Sequence, residues 1–424
     1  MTCRLDAAAT PTPPPSGGVP LPTALAWIDD DLSALRAAGL ERPHRVRAGR
    51  QGREVELNGE TLLNFGSNDY LGLAGDVRLT KAASKAACAE GFGAGASPLV
   101  SGHSQAHELL ERALADLLAV DAALAFPSGF AANTATIAAL VGPDDFVASD
   151  ARNHASIIDG CRLSRGRVGI YPHRDMAALD SLLSQAGSAR RRLIVTDTVF
   201  SMDGTIAPLA DLCDLASKHQ AILMVDEAHA TGVFGPRGSG LVEEAGCADG
   251  VHVRVGTLSK ALAAAGGFVA GHAEMIHWLR HTARAWIFST AHPPAVAAAA
   301  TRSIALLAEE PHRRLELRRR AADFRHALRQ AGLAITGDQT LDSTQDSTQD
   351  STQIVPIVVG TAPAAVDVAT RLANSGFFVP AIRPPSVPEG KSLVRVSLSW
   401  HHTATDLHRL AATIASILRD QPDR

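Results

Sequence analysis

Short apolar runs alternate with segments of helical period from about residue 104 onward. The five leucines of residues 109–118, together with Ala113, recur at helical spacing, whereas residues 193–195 and 222–225 are unbroken apolar runs of strand length. Residues 251–255 and 268–270 are two further candidate strands. Strands that alternate with helices favour a parallel sheet, because a parallel pair needs a crossover connection long enough to hold a helix. The pattern predicts an α/β protein whose mostly parallel sheet is covered by helices.

Composition divides the N-terminal part of the chain and marks one insertion. Residues 1–20 are rich in Pro and Gly and are predicted to form a disordered tail. Residues 21–65 are predicted to form an arm, with an amphipathic helix at 25–38 and a hairpin that turns at Asn-Gly 58–59. The sequence Asp-Ser-Thr-Gln occurs three times over residues 342–353, which predicts a polar inserted surface loop with no chemical role.

The rest of the chain is predicted to form two domains. A large cofactor-binding domain is expected over residues 66–300, and a smaller C-terminal α/β domain over residues 301–424. The smaller domain is expected to contain strands at 355–359, 377–382 and 394–398.

Charge and cysteine content exclude several classes of protein. The 424 residues carry a formal charge of -4, so no overall field favours nucleic acid or an anionic membrane. The five cysteines are scattered, and no Cys-x-x-Cys spacing indicates a disulfide framework or a zinc site. His103 and His107 have the spacing of a helical metal pair, but without a third ligand we expect packing or capping near the helix start and no metal. No run of about 18 apolar residues is present, and the cytoplasm is the predicted location.

Lys260 and Asp226 together point to pyridoxal phosphate. Asp226 closes an apolar run, and Lys260 follows it in the sequence Thr-Leu-Ser-Lys. A lysine amine can hold the cofactor aldehyde as a Schiff base, and a carboxylate can pair with the pyridinium nitrogen. Taken singly, such a lysine is usually a solvated loop residue, and such an aspartate is often only a helix cap. The order of a phosphate-binding turn, the aspartate and the lysine favours the cofactor site.

A glycine-containing turn and a histidine are also compatible with this cofactor. Gly129 and Phe130 precede residues 131–141, which have a helical composition, so their N–H groups could face a phosphate at a helix N-terminus. His154 follows a strand-like run at 145–148, and its imidazole could stack on an aromatic cofactor ring. The alternatives are a plain loop glycine and a solvated loop histidine.

Seven segments together carry a family resemblance. They lie at residues 67–73, 99–102, 128–133, 154–156, 199–204, 226–232 and 257–260. In these segments the chain resembles the α-oxoamine synthase family of fold-type-I pyridoxal-phosphate enzymes, and the resemblance extends from about residue 24 to residue 418. It implies a homodimeric acyltransferase that joins an amino acid to an acyl thioester with loss of carbon dioxide.

The resemblance implies a role for each matching cofactor residue. Lys260 would form the Schiff base, Asp226 would pair with the pyridinium, and His229 would hydrogen-bond to the phenolate oxygen. His154 would stack on the ring and contact the substrate, and it counts with Lys260 and Asp226 as catalytic. The remaining cofactor contacts would come from Gly129, Phe130, Ser201, Thr257 and, reaching the phosphate in the partner subunit, Thr290.

The resemblance also implies the substrate contacts. Arg383 would bind the amino-acid carboxylate with help from Asn68, because a guanidinium matches a carboxylate in two parallel hydrogen bonds. Arg42 and Ser386 match positions that contact the acyl substrate, although Arg45 lies close enough to be the alternative to Arg42.

The choice of substrates within the family depends on residues 381–388, Ala-Ile-Arg-Pro-Pro-Ser-Val-Pro. This segment resembles the corresponding segment of members that condense L-alanine with a pimeloyl thioester carried on acyl carrier protein or coenzyme A. The alternatives are members that use glycine and make 2-amino-3-oxobutyrate or 5-aminolevulinate. Ser386 departs from the usual threonine but keeps the hydroxyl, and Pro98 stands where arginine is common.

Overall fold

The computed structural model describes residues 21–333 and 352–420 of the chain. The predicted tail, residues 1–20, and residues 342–351 of the predicted inserted loop lie outside the described residues. The chain forms two compact units, which divide between His44 and Arg45. A further division of the second unit into a large and a small domain stays a prediction.

The first unit contains one α-helix over its described residues. Helix α1 (Trp27–Ala37) follows a short 3-10 turn and carries Asp29 and Asp30 in its first turn and Arg36 in its last turn. These charges oppose the partial charges of the helix ends, which favours the helix. The predicted N-terminal helix is confirmed.

A small sheet begins the second unit. Strand β1 (Arg47–Ala48) pairs antiparallel with β2 (Glu54–Leu57), which pairs antiparallel with β3 (Glu60–Asn64). The turn between β2 and β3 consists of Asn58 and Gly59, with φ angles of 52° and 87°. Two consecutive positive φ angles are required by the tight hairpin turn that matches the twist of the strands. The predicted hairpin is confirmed.

A seven-stranded sheet forms the centre of the second unit. Its strands in chain order are β4 (Ala122–Phe126), β5 (Phe146–Asp150), β6 (Arg167–Tyr171), β7 (Arg192–Asp197), β8 (Ile222–Asp226), β9 (Val253–Thr257) and β10 (Gly267–Gly271). The spatial order is β4-β10-β9-β8-β7-β5-β6, in which β10 runs antiparallel to both neighbours and the other pairs are parallel. The predicted mostly parallel sheet is confirmed.

Helices cover both faces of this sheet. They are α2 (Val77–Glu90), α3 (Gln105–Leu118), α4 (Gly129–Leu140), α5 (Ala155–Ser164), α6 (Met176–Ser184), α7 (Leu209–Lys218), α8 (Leu241–Glu244), α9 (Ala273–Thr282), α10 (Arg284–Phe288) and α11 (Pro294–Glu309). Along β7, Leu193 and Val195 pack into one hydrophobic cluster with residues of α4 and α5, whereas Ile194 packs into a second cluster with α6 and α7. Because side chains alternate along a strand, both faces of the sheet are apolar and buried.

The described C-terminal elements are three helices and four strands, and three of these strands form one sheet. They are α12 (His312–Gln330), β11 (Ile354–Gly360), α13 (Ala362–Asn374), β12 (Phe377–Phe378), β13 (Ala381–Ile382), β14 (Ser392–Ser397) and α14 (Ala404–Arg419). Strand β14 lies between β11 and β13 and is antiparallel to both. Among the helices of residues 21–333 and 352–420, none combines the length and the apolar character needed to span a bilayer.

The predicted strand at 377–382 is wrong. It is divided into β12 and β13, which belong to different sheets: β12 pairs parallel with β3, and β13 pairs with β14. Pro380 lies between the two strands and has no N–H group to continue a ladder. Pro380 marks this break in the sequence, but the residues around it are apolar and were predicted as one strand.

The last two residues of the predicted surface loop are buried. Thr352 and Gln353 are 0% and 1% exposed. The Thr352 hydroxyl donates to the carbonyl of Gly204 at 2.9 Å, and Nε2 of Gln353 donates to the carbonyl of His229 at 2.7 Å. The surface prediction is wrong for these two residues, because their polar groups pair with backbone acceptors inside the protein.

Candidate active site

A cavity of about 220 Å³ lies at the carboxyl ends of β7, β8 and β9. Seven residues that were predicted to contact the cofactor line this cavity: Gly129, Phe130, His154, Asp226, His229, Thr257 and Lys260. Asp226 and Thr257 are the last residues of β8 and β9, and the ends of neighbouring parallel strands lie side by side. The sheet therefore assembles residues that are far apart in the sequence.

The N-terminus of α4 forms one wall of the cavity. The Ser128 hydroxyl accepts a hydrogen bond from the N–H of Ala131, whereas the N–H groups that begin a helix have no partner within it. A Cβ on Gly267 would lie 2.5 Å from backbone atoms of Gly129, so the helix start approaches β10 only because residue 267 is glycine. Together with the helix dipole, this wall fits a phosphate group.

Lys260 follows β9 and brings an amine into the cavity. Its Nζ lies 2.9 Å from Nε2 of His229. Burial lowers the pKa of Lys260 to about 8, although the nearby charges of Asp226 and Asp197 raise it. An amine with this pKa is partly neutral near physiological pH, which suits attack on an aldehyde and later proton transfer.

Two donors fix the carboxylate of Asp226. Its Oδ1 accepts from the N–H of Ala228 at 2.7 Å, and its Oδ2 accepts from Nδ2 of Asn133 at 2.6 Å. The same Asn133 amide group donates to the hydroxyl of Ser156, which lies 2.8 Å from Nδ1 of His154. This donor set orients an anion within the cavity, as pairing with a protonated ring nitrogen requires.

A second carboxyl group, that of Asp197, lies beside Asp226. Its Oδ2 accepts from the backbone N–H of His154 at 2.7 Å, which ties the end of β7 to the start of α5. Burial, and then the neighbouring charge of Asp226, raises the pKa of Asp197 well above its ordinary value. Burial and the interaction between the two carboxyl groups therefore favour the protonated form of Asp197.

His229 is held by three contacts. Its Nδ1 lies 2.6 Å from the hydroxyl of Tyr70, its Nε2 faces Lys260, and its carbonyl accepts from Gln353. Burial lowers the pKa of His229 well below its ordinary value, and the charges of Lys260 and Arg395 lower it further. The imidazole is therefore neutral.

Arg395 connects two further predicted residues to this site. It is 5% exposed on β14, its Nε donates to the carbonyl of Ser201 at 2.6 Å, and one guanidinium nitrogen donates to Oδ1 of Asn68 at 3.1 Å. Oδ1 of Asn68 also lies 3.1 Å from the hydroxyl of Tyr70. Asn68 and Ser201 thus lie next to the His229 side of the site.

Four residues that were predicted to contact the cofactor or the substrates are not brought to the cavity in the same way. Thr290, Arg383 and Ser386 are not among the described residues that line the cavity. Thr290 and Ser386 are exposed, and the N–H of Ser386 donates to the carbonyl of Arg383 at 3.0 Å. Arg42 is an exposed residue of the first unit. The roles of these four residues stay predictions.

The predicted capping by His107 is confirmed, but the premise that no third potential metal ligand accompanies the histidine pair is wrong. Nδ1 of His107 accepts from the N–H of Ser104, and Nε2 donates to the carbonyl of His292, so the ring caps α3. Potential ligand atoms of His103, Glu108 and Glu111 lie within 4.8 Å of one another. The sequence spacing did not show these two carboxylates as partners of His103.

Five residues of the site were missed as functional residues: Tyr70, Asn133, Asp197, Gln353 and Arg395. Two of them carry a readable signal. Asp197 ends β7 as Asp226 ends the neighbouring β8, and Arg395 is a charged residue between two valines of a predicted strand. The others become visible only through contacts with distant parts of the chain.

Comparison with known proteins places the chain in a family. The aminotransferase class I and II family matches residues 60–414. The chain belongs to this family. It is similar to the 8-amino-7-oxononanoate synthase of Anaeromyxobacter dehalogenans, with 46% identity over 399 residues that cover 94% of this chain and 97% of the relative. The 8-amino-7-oxononanoate synthase of Geobacter sulfurreducens is also 46% identical, over 92% of this chain and 97% of the relative.

Solved structures show the same fold. The serine palmitoyltransferase of S. paucimobilis, solved with a bound pyridoxal-phosphate–myriocin adduct, matches with a TM-score of 0.86 and 29% identity over 93% of this chain and 98% of that one. The 8-amino-7-oxononanoate synthase of Francisella tularensis matches with a TM-score of 0.70 and 25% identity over 84% and 98%. These matches confirm the predicted fold class and family resemblance, and they support pyridoxal phosphate as the cofactor.

The Asn133 contact predicts a loss of cofactor affinity on substitution. Asn133→Leu removes a donor from the Asp226 carboxylate, and a hydrogen bond to a charged group is worth about 1.5–3 kcal/mol. We expect the dissociation constant of pyridoxal phosphate to increase at least roughly 10-fold, as measured by fluorescence titration of the cofactor-free protein. Asn374→Leu, at an exposed position that ends α13, is the control and should leave the affinity unchanged. Equal affinities in the two variants would contradict the role of Asn133.

The pKa of Lys260 predicts the pH dependence of cofactor uptake. Only the neutral amine attacks an aldehyde, so the rate of covalent uptake should rise about tenfold per pH unit below pH 8 and level off above it. Stopped-flow absorbance of the cofactor-free protein measures this rate. Free Nα-acetyl-lysine is the control, and its rate should continue to rise towards about pH 10.4. If the uptake rate of the protein depended on pH in the same way as that of the free amine, the lowered pKa of Lys260 would be refuted.

Proposed function

We propose that this protein condenses L-alanine with a pimeloyl thioester, releases carbon dioxide and the free thiol, and so makes 8-amino-7-oxononanoate for biotin biosynthesis. The observation that carries the proposal is the position of the Lys260 amine. Lys260 follows β9, its Nζ lies beside His229, and it lines the same cavity as Asp226. The choice of substrates is supported by relatives that are 46% identical over more than nine-tenths of the chain and are named for this reaction.

The residues of the cavity fit pyridoxal phosphate. When bound, this cofactor supplies an aldehyde carbon and an aromatic ring that takes up electron density from the reacting carbon. Gly129 and Phe130 would hold its phosphate, and Asp226 would pair with its ring nitrogen. Thr257 and His154 would contact it from the end of β9 and from the start of α5.

Lys260 would also move the proton of the amino acid. Its Nζ would take the proton from Cα of alanine and later return one, which a group with a pKa near the working pH does efficiently. His229 is neutral and buried, so it can hold a hydrogen bond without competing for that proton.

Arg395 is the arginine that we propose for the carboxylate of the amino acid. Its guanidinium donates to Oδ1 of Asn68, which lies 3.1 Å from the Tyr70 hydroxyl that contacts His229, so the guanidinium lies near the His229 side of the cavity. Asn68 and the carbonyl of Ser201 orient it. Arg383, proposed from the family resemblance, is the alternative.

A homodimer is part of the proposal. Phe92, Val100 and Phe288 are 78%, 77% and 69% exposed, and large apolar side chains with this exposure favour contact with another protein surface. Thr290 follows Phe288 by two residues, so the segment that would reach the partner's phosphate continues from this apolar surface.

Serine with a long-chain acyl thioester is the second candidate, since the solved neighbours with the higher TM-scores are serine palmitoyltransferases. The identity of 29–30% to these neighbours is lower than the 46% to the curated relatives, which favours alanine.

A substrate panel tests the proposal. The purified protein is incubated with alanine, glycine or serine, each with pimeloyl, acetyl or palmitoyl thioesters of coenzyme A, and with pimeloyl acyl carrier protein. Thiol release is measured and products are identified by mass. We expect alanine with a pimeloyl thioester to exceed every other pair by at least roughly 10-fold, since one carbon in a fitted pocket changes kcat/KM by about 10- to 200-fold. A higher rate with glycine and acetyl or with serine and palmitoyl would overturn the proposal.

A pair of matched variants tests the carboxylate ligand. Arg395→Gln should lower kcat/KM for alanine by roughly 10- to 150-fold, the equivalent of about 1.5–3 kcal/mol for a hydrogen bond to a charged group. Arg383→Gln is measured in parallel, with the KM for the thioester and the dissociation constant of pyridoxal phosphate determined for both. If only Arg383→Gln impairs the use of alanine, Arg383 is the ligand and the assignment to Arg395 is wrong.

A further inference from the structure

Tyr70 belongs to a buried chain of hydrogen bonds that ends at Lys260. Its side chain is 0% exposed, and its hydroxyl lies 2.6 Å from Nδ1 of His229. The opposite ring nitrogen of His229, Nε2, lies 2.9 Å from Nζ of Lys260. A neutral imidazole carries one hydrogen, on either Nδ1 or Nε2, so the contact at Nδ1 decides what Nε2 offers to Lys260.

The hydroxyl of Tyr70 has one hydrogen and two candidate acceptors. Oδ1 of Asn68 lies 3.1 Å away, but it already accepts from Arg395 at 3.1 Å and from the Ser397 hydroxyl at 3.4 Å. A carbonyl oxygen has two lone pairs, and these two donors match them. Nδ1 of His229 is the nearer acceptor. Burial raises the pKa of Tyr70, so the phenol keeps its hydrogen.

We propose that Tyr70 is a positioning residue that donates to Nδ1 of His229 and thereby fixes the tautomer with its hydrogen on Nε2. The imidazole then presents an N–H donor to Lys260. The same donor suits the phenolic oxygen of pyridoxal phosphate, for which His229 was predicted. This inference rests on the proposed roles of Lys260 and His229.

The tautomer changes the environment of the Lys260 amine. An Nε2–H group donates to a neutral amine but opposes an ammonium group, which itself needs an acceptor. Tyr70 therefore favours the neutral, reactive form of Lys260. The other charged or titratable groups that act on Lys260 and His229 are Asp226, Asp197, Arg395 and His154.

Gln353 supports the same arrangement from the backbone. Its Nε2 donates to the carbonyl of His229, and its side chain also contacts the hydroxyl of Tyr70. The ring of His229 is thus fixed between Tyr70 and Lys260 while its main chain is held by Gln353. Rotation of the imidazole, which would exchange the two nitrogens, is restricted.

The chain offers a matched pair of variants. It contains two tyrosines, Tyr70 and Tyr171, and Tyr171 is also buried but does not line the cavity. Tyr70→Phe removes the donor and keeps the ring, and Tyr171→Phe removes a buried hydroxyl elsewhere. The pKa of Lys260 is measured in the cofactor-free full-length proteins by competitive acetylation across pH, followed by peptide mass spectrometry. With five lysines in the chain, the Lys260 peptide is readily separated.

The proposal predicts opposite shifts in two experiments. In Tyr70→Phe the imidazole can place its hydrogen on Nδ1 and accept from the ammonium, so the pKa of Lys260 should rise by roughly one unit above about 8. In the Tyr171→Phe background, position 70 is the only tyrosine, so growth on 3-fluorotyrosine labels it alone. The fluorinated phenol is a stronger donor of the same shape, and the pKa of Lys260 should fall.

The fluorinated protein keeps the test decisive even if Tyr70→Phe fails to fold. An unchanged or higher pKa of Lys260 with 3-fluorotyrosine, or an unchanged or lower pKa in folded Tyr70→Phe, would overturn the proposal. A shift of equal size in Tyr171→Phe would also overturn it. Neither substrate nor cofactor is present in these measurements, so their outcome is separate from that of the substrate panel.

Discussion

Burying the amine of Lys260 deprives its charged form of water, and the surrounding groups compensate only in part. Asp226 and Asp197 favour the ammonium, whereas burial and the charge of Arg395 oppose it, and the result is a pKa of about 8. The same surroundings raise the pKa of Asp197 and lower the pKa of His229. The protonation of Lys260, Asp197 and His229 therefore depends on the groups packed around them.

The central sheet makes this cluster possible. Asp197, Asp226 and Thr257 end three adjacent strands, so one edge of the sheet collects two carboxyl groups and a hydroxyl. The N-terminus of α4 meets the same edge because Gly267 lets the backbone of Gly129 approach β10. A strand scaffold that is apolar on both faces holds these ends rigidly, which favours a fixed arrangement of charges over a solvated one.

Local patterns in the sequence were sufficient for the sheet and for the centre of the site. Lys260 and Asp226 follow apolar runs that form β9 and β8, and each run could be recognised by itself. The partners of Tyr70, Gln353 and Arg395 could not be identified in this way, because they are distant in the sequence. Tyr70 and His229 are 159 residues apart, Gln353 and His229 124, and Arg395 and Asn68 327. Pro380 is visible in the sequence, but the pairing of β12 and β13 with different sheets is not.

The covalent attachment of pyridoxal phosphate to Lys260 is the central claim, and borohydride trapping tests it most directly. The protein is loaded with the cofactor, reduced, digested and mapped by mass spectrometry, with unreduced protein as the control. The account predicts a pyridoxyl phosphate group on the peptide that contains Lys260 and on none of the peptides with Lys81, Lys85, Lys218 or Lys391. A label on one of those four lysines, or no label after exposure to the cofactor, would contradict it.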